Sequence, residues 1–302
     1  MNIKPEFTTD SLLDKALGAY LGFACGDALG ATVEFMYPKK IQRQYGVHDT
    51  IIGGGWLGLN KGDVTDDTEM SIALGNALIS QQAWDIHAVA NNYVAWLDSF
   101  PVDVGDTCRR GISRYKSTGE LYGPLSDKDA GNGACMRILP LVLATLNTTL
   151  FDSWVLQQNH ITHNNPVSDQ ASLTLGHIIK HLLTSRDDLV RGEIDQLLTL
   201  YPDFQYKPYP GRASAYIVYT MQTVLHFFET TESFEDCVVK TVNMGSDADT
   251  TGAIVGMLAG AKYGVQAIPQ RWLDALNPEI NNTIRTQTIE LLKLAETLTD
   301  SE

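Results

Sequence analysis

Apolar positions recur in steps of three and four from the start of the chain, at Leu12, Leu13, Ala16, Leu17, Tyr20, Leu21, Ala24 and Ala28. That period puts them on one stripe of an amphipathic α-helix. Similar patterns run over 68–82, 85–98, 106–117, 134–147, 167–184, 213–229, 233–243, 250–263 and 278–298. Helix-start residues accompany several of them: Asp85 ahead of an apolar run, Ser233 with Asp236 three places on, and Pro278 followed by Glu279. Strand alternation is scarce. The Gly-rich DTIIGGGWLGLNKGD (49–63) predicts a short hairpin or a loop, and the proline-containing YPDFQYKPYPGR (201–212) a surface loop. With no internal repeat and no low-complexity tract, the pattern predicts an all-α chain forming a single domain over residues 1–302.

Composition narrows the functional classes. A hydrophobic content of 44% over 302 residues supports a sizeable core. The net charge of −14 argues against a general grip on nucleic acid, which needs basic surface to neutralise phosphates. The opening MNIKPEFTTD has no apolar stretch of the secretory kind, and the Gly/Ala-rich 252–268 region is broken by Lys262, so neither a leader nor a membrane span is expected. Cys25, Cys108, Cys135 and Cys237 lie far apart without a C-x-x-C pair. They read as reduced, buried thiols of a cytoplasmic protein, with little to support a zinc site or a thiol nucleophile.

Two short stretches concentrate oxygen ligands directly ahead of helical patterns. GSDADTTGAIVGMLAGAKYG (245–264) supplies Asp247, Asp249, Thr250 and Thr251, and GDVTDDTEM (62–70) supplies Thr65, Asp66, Asp67 and Thr68. Glu34 follows the first helical pattern. Capping and the helix dipole could account for one acid at each place, at roughly 0.3–1 kcal/mol apiece. Both stretches carry more than a cap requires. Two like charges at ~4 Å cost about 4 kcal/mol at a surface-like dielectric, so bound cations would convert a penalty into coordination. Hard oxygens with no Cys or His favour Mg²⁺, Mn²⁺ or Ca²⁺ over Zn²⁺. A calcium EF-hand fails, because reading from Asp247 puts Leu258 where a bidentate Glu is required.

Other candidates carry bland alternatives. In GNGACMRILP (131–140) the glycines would let backbone N–H groups face a pyrophosphate at a helix start, or simply form a turn. His163 beside an Asn-Pro turn could be a structural hydrogen-bonder, and Tyr216 a core aromatic on a helix face. Asp103 lies just ahead of a helix start that Asp106 could already cap.

GDALGATVEF, TDDTEM, GNGACMR, THNNPVSD and GSDADTTGAIVGMLAGAKYG, in this order and spanning nearly the whole chain, resemble the ADP-ribosylglycohydrolase family. The segment FPVDVGDTCRRGI and the chain length are most similar to members that act on dinitrogenase reductase. The resemblance implies an all-α, single-domain orthogonal helical bundle with a two-metal site of Mn²⁺ or Mg²⁺. It assigns Thr65, Asp66 and Asp67 to the metals from one side and Asp247, Asp249 and Thr250 from the other. Glu34 would hold water or gate ligand entry, and the small residues behind the second acid group would allow close helix packing. Asp103, Glu34 and Asp67 would be catalytic, Asp103 facing the ribose and guanidine. Asn132, Gly133, Ala134, His163, Asn164 and Tyr216 would contact ADP-ribose. The activity implied is removal of mono-ADP-ribose from an arginine of a target protein, such as dinitrogenase reductase, by a metal-activated water, with ADP-ribose as product. Rival readings are cleavage of a serine-linked or small-molecule ADP-ribose, and a non-catalytic ADP-ribose binder. A general two-metal phosphoesterase usually adds His ligands, which both clusters lack.

Overall fold

In the computed structural model, which describes residues 9–300, two glycine-rich helices meet backbone to backbone; the opening MNIKPEFT lies outside the described residues. Helix α1 (Thr9–Gly30) has Gly18, Gly22, Gly26 and Gly30 at four-residue spacing, hence on one face. Gly252, Gly256 and Gly260 do the same on α12 (Ala248–Tyr263). A Cβ added to Gly26 would lie 2.0 Å from the Gly252 carbonyl oxygen, and one on Gly256 2.2 Å from that of Gly22. The pairing runs antiparallel, so the C-terminal end of α1 lies beside the N-terminal end of α12. That is where the acids sit.

The rest of the chain wraps this pair. Around it lie α2 (Pro38–Tyr45), α3 (Asp66–Gln81), α4 (Ile86–Asp98), α5 (Asp106–Thr118), α6 (Leu139–Ala144), α7 (Phe151–His160) and α8 (Pro166–Leu183). The remainder are α9 (Asp187–Leu200), α10 (Ile217–Thr230), α11 (Phe234–Val242), α13 (Gln270–Ala275) and α14 (Pro278–Thr297). Among the described residues there is no strand, only two isolated bridges, so the architecture is all-α. None of these helices is long and apolar enough to cross a membrane.

Several expectations change. The first helix is not amphipathic along its C-terminal half: Gly18 to Gly30 are buried all round, because α1 is a central strut. The pattern at 134–147 contracts to α6, since residues 132–137 turn and the Asn132 N–H donates to the Ala215 carbonyl (3.0 Å). Pro140, lacking an N–H, fits only the first turn of α6. Helices α2, α7, α9 and α13 fall outside the predicted patterns, although α9 buries a stripe of Val190, Ile194 and Leu197; α2 buries only Ile41. The 49–63 region is a loop pinched by one bridge between Gly54 and Leu59. The 201–212 loop does not simply lie on the surface, for Phe204 and Tyr206 plug into the core. Asp85 and Ser233 cap α4 and α11 through backbone N–H groups, and all four cysteines are buried and free.

Candidate active site

The acids at the two helix starts are not caps. Thr65 and Asp247 occupy the N-cap positions of α3 and α12, yet neither side chain caps its helix. The Thr65 hydroxyl instead donates to Asp27 Oδ1 (2.9 Å), and Asp247 accepts the Asn132 amide (2.5 Å). Nor does Asp106 cap α5: Gly105 holds the N-cap position, and the Asp106 carboxylate pairs with Arg110 (3.1 Å).

Freed from capping, these side chains converge. Glu34, Asp66, Asp103, Asp247, Asp249 and Thr250 line one cavity of about 460 Å³. Asp67 lies just behind it, where its Oδ2 accepts the Thr250 hydroxyl (3.1 Å) and so links the α3 and α12 clusters. Asp66 Oδ2 accepts the Gly105 N–H (3.0 Å), tying the Asp103 segment to the same group. Carboxylate oxygens of Glu34, Asp247 and Asp249 lie within 4.8 Å of one another. Among the described residues no lysine or arginine lines the cavity.

Electrostatically this is an expensive arrangement for a protein alone. Burial and neighbouring carboxylates push Glu34 up to about 8, Asp66 up to about 7, and Asp67 and Asp249 well above the usual range. Burial raises Asp247 to about 6 against hydrogen bonds from Asn132 and Thr250. Asp67 Oδ1 is buried with no hydrogen-bond partner among the described residues. An orphaned carboxylate oxygen amid acids, with hydroxyl and carboxylate donors only, fits hard divalent cations.

Asp27 is the residue sequence reasoning missed. Fully buried, its carboxylate accepts the Thr65 N–H and hydroxyl and the Thr68 N–H and hydroxyl (2.5–3.2 Å). It therefore fixes the start of α3 from α1, and it stands inside the GDALG stretch already noted. Trp56 and Phe35 were also missed. The Trp56 indole N–H donates to Glu34 Oε2, and its ring packs on Phe35 at 5.3 Å.

The other predicted residues divide. Asn132, Gly133 and His163 line the cavity. His163 packs edge-on to the glycine turn, where a Cβ on Gly131 or Gly133 would lie 2.9 Å from its ring. Buried Arg137 donates to Thr162 Oγ1 (2.8 Å), and the same hydroxyl is hydrogen-bonded to His163 Nδ1 (2.7 Å). In the neutral ring one nitrogen donates and the other accepts, and Nε2 lies beside Gly131. Burial, with Arg137 and Arg110, depresses the His163 pKa to about 3, so the ring is neutral. The 131–137 turn is not a helix start, since α6 begins only at Leu139. Ala134 is buried outside the lining, its carbonyl held by Gln158 (3.1 Å). Asn164 also lies outside the lining, and its amide donates to the Gly123 carbonyl (2.7 Å). Tyr216 is not in the core: it is 42% exposed at the start of α10, next to the lining residue Ala215.

This all-helical fold with its acid-lined cavity has recognisable kin. The ADP-ribosylglycohydrolase family model matches residues 8–302, and the chain belongs to that family of glycosyl-bond hydrolases. Among its relatives is the ADP-ribosyl-[dinitrogen reductase] glycohydrolase of Rhodospirillum rubrum, 52% identical over 95% of this chain and 99% of that one. The ADP-ribosylarginine hydrolase Tri1 of Serratia proteamaculans (strain 568) is 32% identical, covering 91% and 81%. A solved structure, an ADP-ribosylglycohydrolase-related protein complex, superposes with a TM-score of 0.80 at 31% identity, over 95% of this chain and 99% of its own.

Proposed function

We propose that this protein removes mono-ADP-ribose from an arginine side chain of a protein, hydrolysing the bond between ribose C1 and a guanidine nitrogen. The observation that carries this reading is the meeting of two acidic motifs and Glu34 on one cavity, with Asp67 Oδ1 buried and unpartnered. The name of the Serratia relative supports arginine as the linkage, and that of the Rhodospirillum relative makes dinitrogenase reductase the candidate target. The reaction would belong to the cytoplasm, on a single domain spanning the chain.

Thr65, Asp66, Asp67, Asp247, Asp249 and Thr250 would hold two divalent cations, Mn²⁺ or Mg²⁺, with Glu34 at the mouth. When bound, such a pair supplies positive charge that holds ribose hydroxyls and acidifies a water. The remaining task belongs to the chain. Glycosidic cleavage develops positive charge on the sugar, which the carboxylates of Glu34 and Asp103 would face. A neutral guanidine is a poor leaving group, since its conjugate acid has a pKa above ~12. Asp103 would orient it and exchange a proton; burial raises the Asp103 pKa above its ordinary value, against the Val104 N–H and Arg109. Asn132 holds Asp247 in place, and with Gly133 and the His163 ring it would receive the ADP moiety. Ala134 would back that wall, Asn164 would fix the neighbouring loop through Gly123, and Tyr216 would offer its ring to the adenine.

The test is to offer arginine-, serine- and aspartate-linked ADP-ribosyl substrates with Mn²⁺ or Mg²⁺ and measure free ADP-ribose. Release from the arginine linkage alone is expected, abolished by chelation and in a folded Asp66→Ala variant. Release only from serine would replace the linkage, and release from none would make the protein a binder.

A further inference from the structure

Five non-glycine residues adopt left-handed backbone conformations among the described residues: Phe35, Gln82, Phe100, Ser185 and Ser246. Bulky side chains pay for that geometry, so it persists where surrounding structure enforces it. Only two of the five are apolar. Both are strongly exposed, Phe35 at 64% and Phe100 at 90%. Both also belong to segments that line the acidic cavity.

Phe35 lines the cavity itself, and its backbone N–H donates to Ser246 next to Asp247. Trp56 packs on it while 56% exposed. Phe100 follows Ser99, the C-cap of α4, where a glycine would relieve the strain. Three residues on, Asp103 enters the cavity, and Gly105 is tied to Asp66. Exposed Val102 lies between them. Exposed Tyr216, beside Ala215, adds an aromatic from a third segment. Isolated exposed apolar residues need no explanation, but several on the segments that supply one cavity's lining point to an interaction surface.

We infer that this rim is a docking surface for a folded protein substrate, gripping the apolar surface that flanks the modified arginine. The inference rests on the arginine-linked reading of the site. Its occupant is set by the cavity size: about 460 Å³ admits an ADP-ribosyl group and an arginine side chain but no folded protein. Whatever carries the arginine must therefore rest outside it, where Phe35 and Trp56 are exposed on the lining and Phe100 and Val102 are exposed on the segment that leads into Asp103. The chain's net charge of −14 favours a basic partner surface over an acidic one. The rim thus separates two tasks: the cavity recognises ADP-ribose, and the phenylalanines recognise the protein that bears it.

The experiment compares two substrates, free ADP-ribosyl-arginine and an arginine-ADP-ribosylated folded protein. The variants are Phe100→Ser, Phe100→Asn and, as an exposed control on α9, Leu200→Ser. Both Phe100 variants should raise KM about tenfold or more for the protein substrate, as expected of an aromatic anchor. Kinetics on ADP-ribosyl-arginine should stay within twofold of the wild type, and Leu200→Ser should change neither. Phe100→Asn should melt no lower than the wild type, because Asn tolerates the left-handed conformation. Unchanged KM for the protein substrate, or equal losses on both substrates, would overturn the inference. So would a wild-type dimer that Phe100→Ser converts to monomer, since the rim would then serve a second copy. If the wild type releases ADP-ribose from neither substrate, the arginine-linked reading fails and takes the docking surface with it.

Discussion

Replacing Asp249 by Asn should stabilise the metal-free protein and remove the stabilisation that metal brings. Asp249 is buried at the first turn of α12, and one of its oxygens accepts the Thr250 N–H (2.9 Å), a bond an Asn oxygen can keep. Its carboxylate shares a 4.8 Å circle with those of Glu34 and Asp247. At that distance and an effective dielectric of about 20, two ionised carboxylates repel by about 3.5 kcal/mol. Protonation is the only relief without cations, and holding a proton at pH 7 on a carboxyl with a free pKa near 4 costs about 4 kcal/mol. By either route one member of the group costs a few kcal/mol, and Asn removes it. A gain of about 2–4 kcal/mol in a 302-residue chain corresponds to roughly 3–6 °C in Tm. Wild type with metal at about 100 times Kd should gain about 2.7 kcal/mol per ion, near 4 °C. Differential scanning calorimetry in chelator and in Mn²⁺ or Mg²⁺ should therefore show the order of stability reversing. A variant less stable than wild type in chelator, or equally stabilised by metal, would refute the reasoning.

Asp103→Ala should abolish turnover while ADP-ribose still binds by calorimetry; retained turnover would remove Asp103 from the chemistry. Gly260→Ala would set a Cβ 1.9 Å from the Gly18 carbonyl oxygen and force α1 from α12. Urea denaturation should report a loss of about 3 kcal/mol or more, above ordinary overpacking because the clash is with backbone; an unchanged midpoint would mean the helices are not locked together. His163 titrates near 3 when folded and about 6.5 when unfolded, so the unfolded chain binds the extra proton below pH 6.5. Its contribution is complete above that pH and is lost on acidification, at up to about 1.4 kcal/mol per pH unit. The wild type should therefore lose stability between pH 6 and 4 more steeply than His163→Gln, and parallel curves would contradict a neutral buried ring.

The metal-type acids were readable because their surplus is local: Asp66 and Asp67, and Asp247 and Asp249, each exceed what a helix start needs. Most helices were readable for the same reason, since a stripe of period 3.6 is written in consecutive residues. Asp27 was not, because a carboxylate within a helix takes its meaning from Thr65 and Thr68, some forty positions away. The 131–137 turn was misread as a helix start because Asn132 commits its N–H to Ala215, a partner in a distant segment. Tyr216 and the burial of α1 likewise depend on what packs against them.

By itself, then, the sequence determined an all-helical chain with two oxygen-rich helix starts and a glycine every fourth residue on two helices. Those features arise from steric preference, periodicity and side-chain chemistry, which act between near neighbours. Only the tertiary structure decided that the two starts share one cavity with Glu34 and Asp103, that Asp67 retains an unpaired oxygen, and that the strained, exposed Phe35 lines the same cavity. Each is a relation between segments distant along the chain, set by the close contact of α1 with α12 and by the burial that contact enforces.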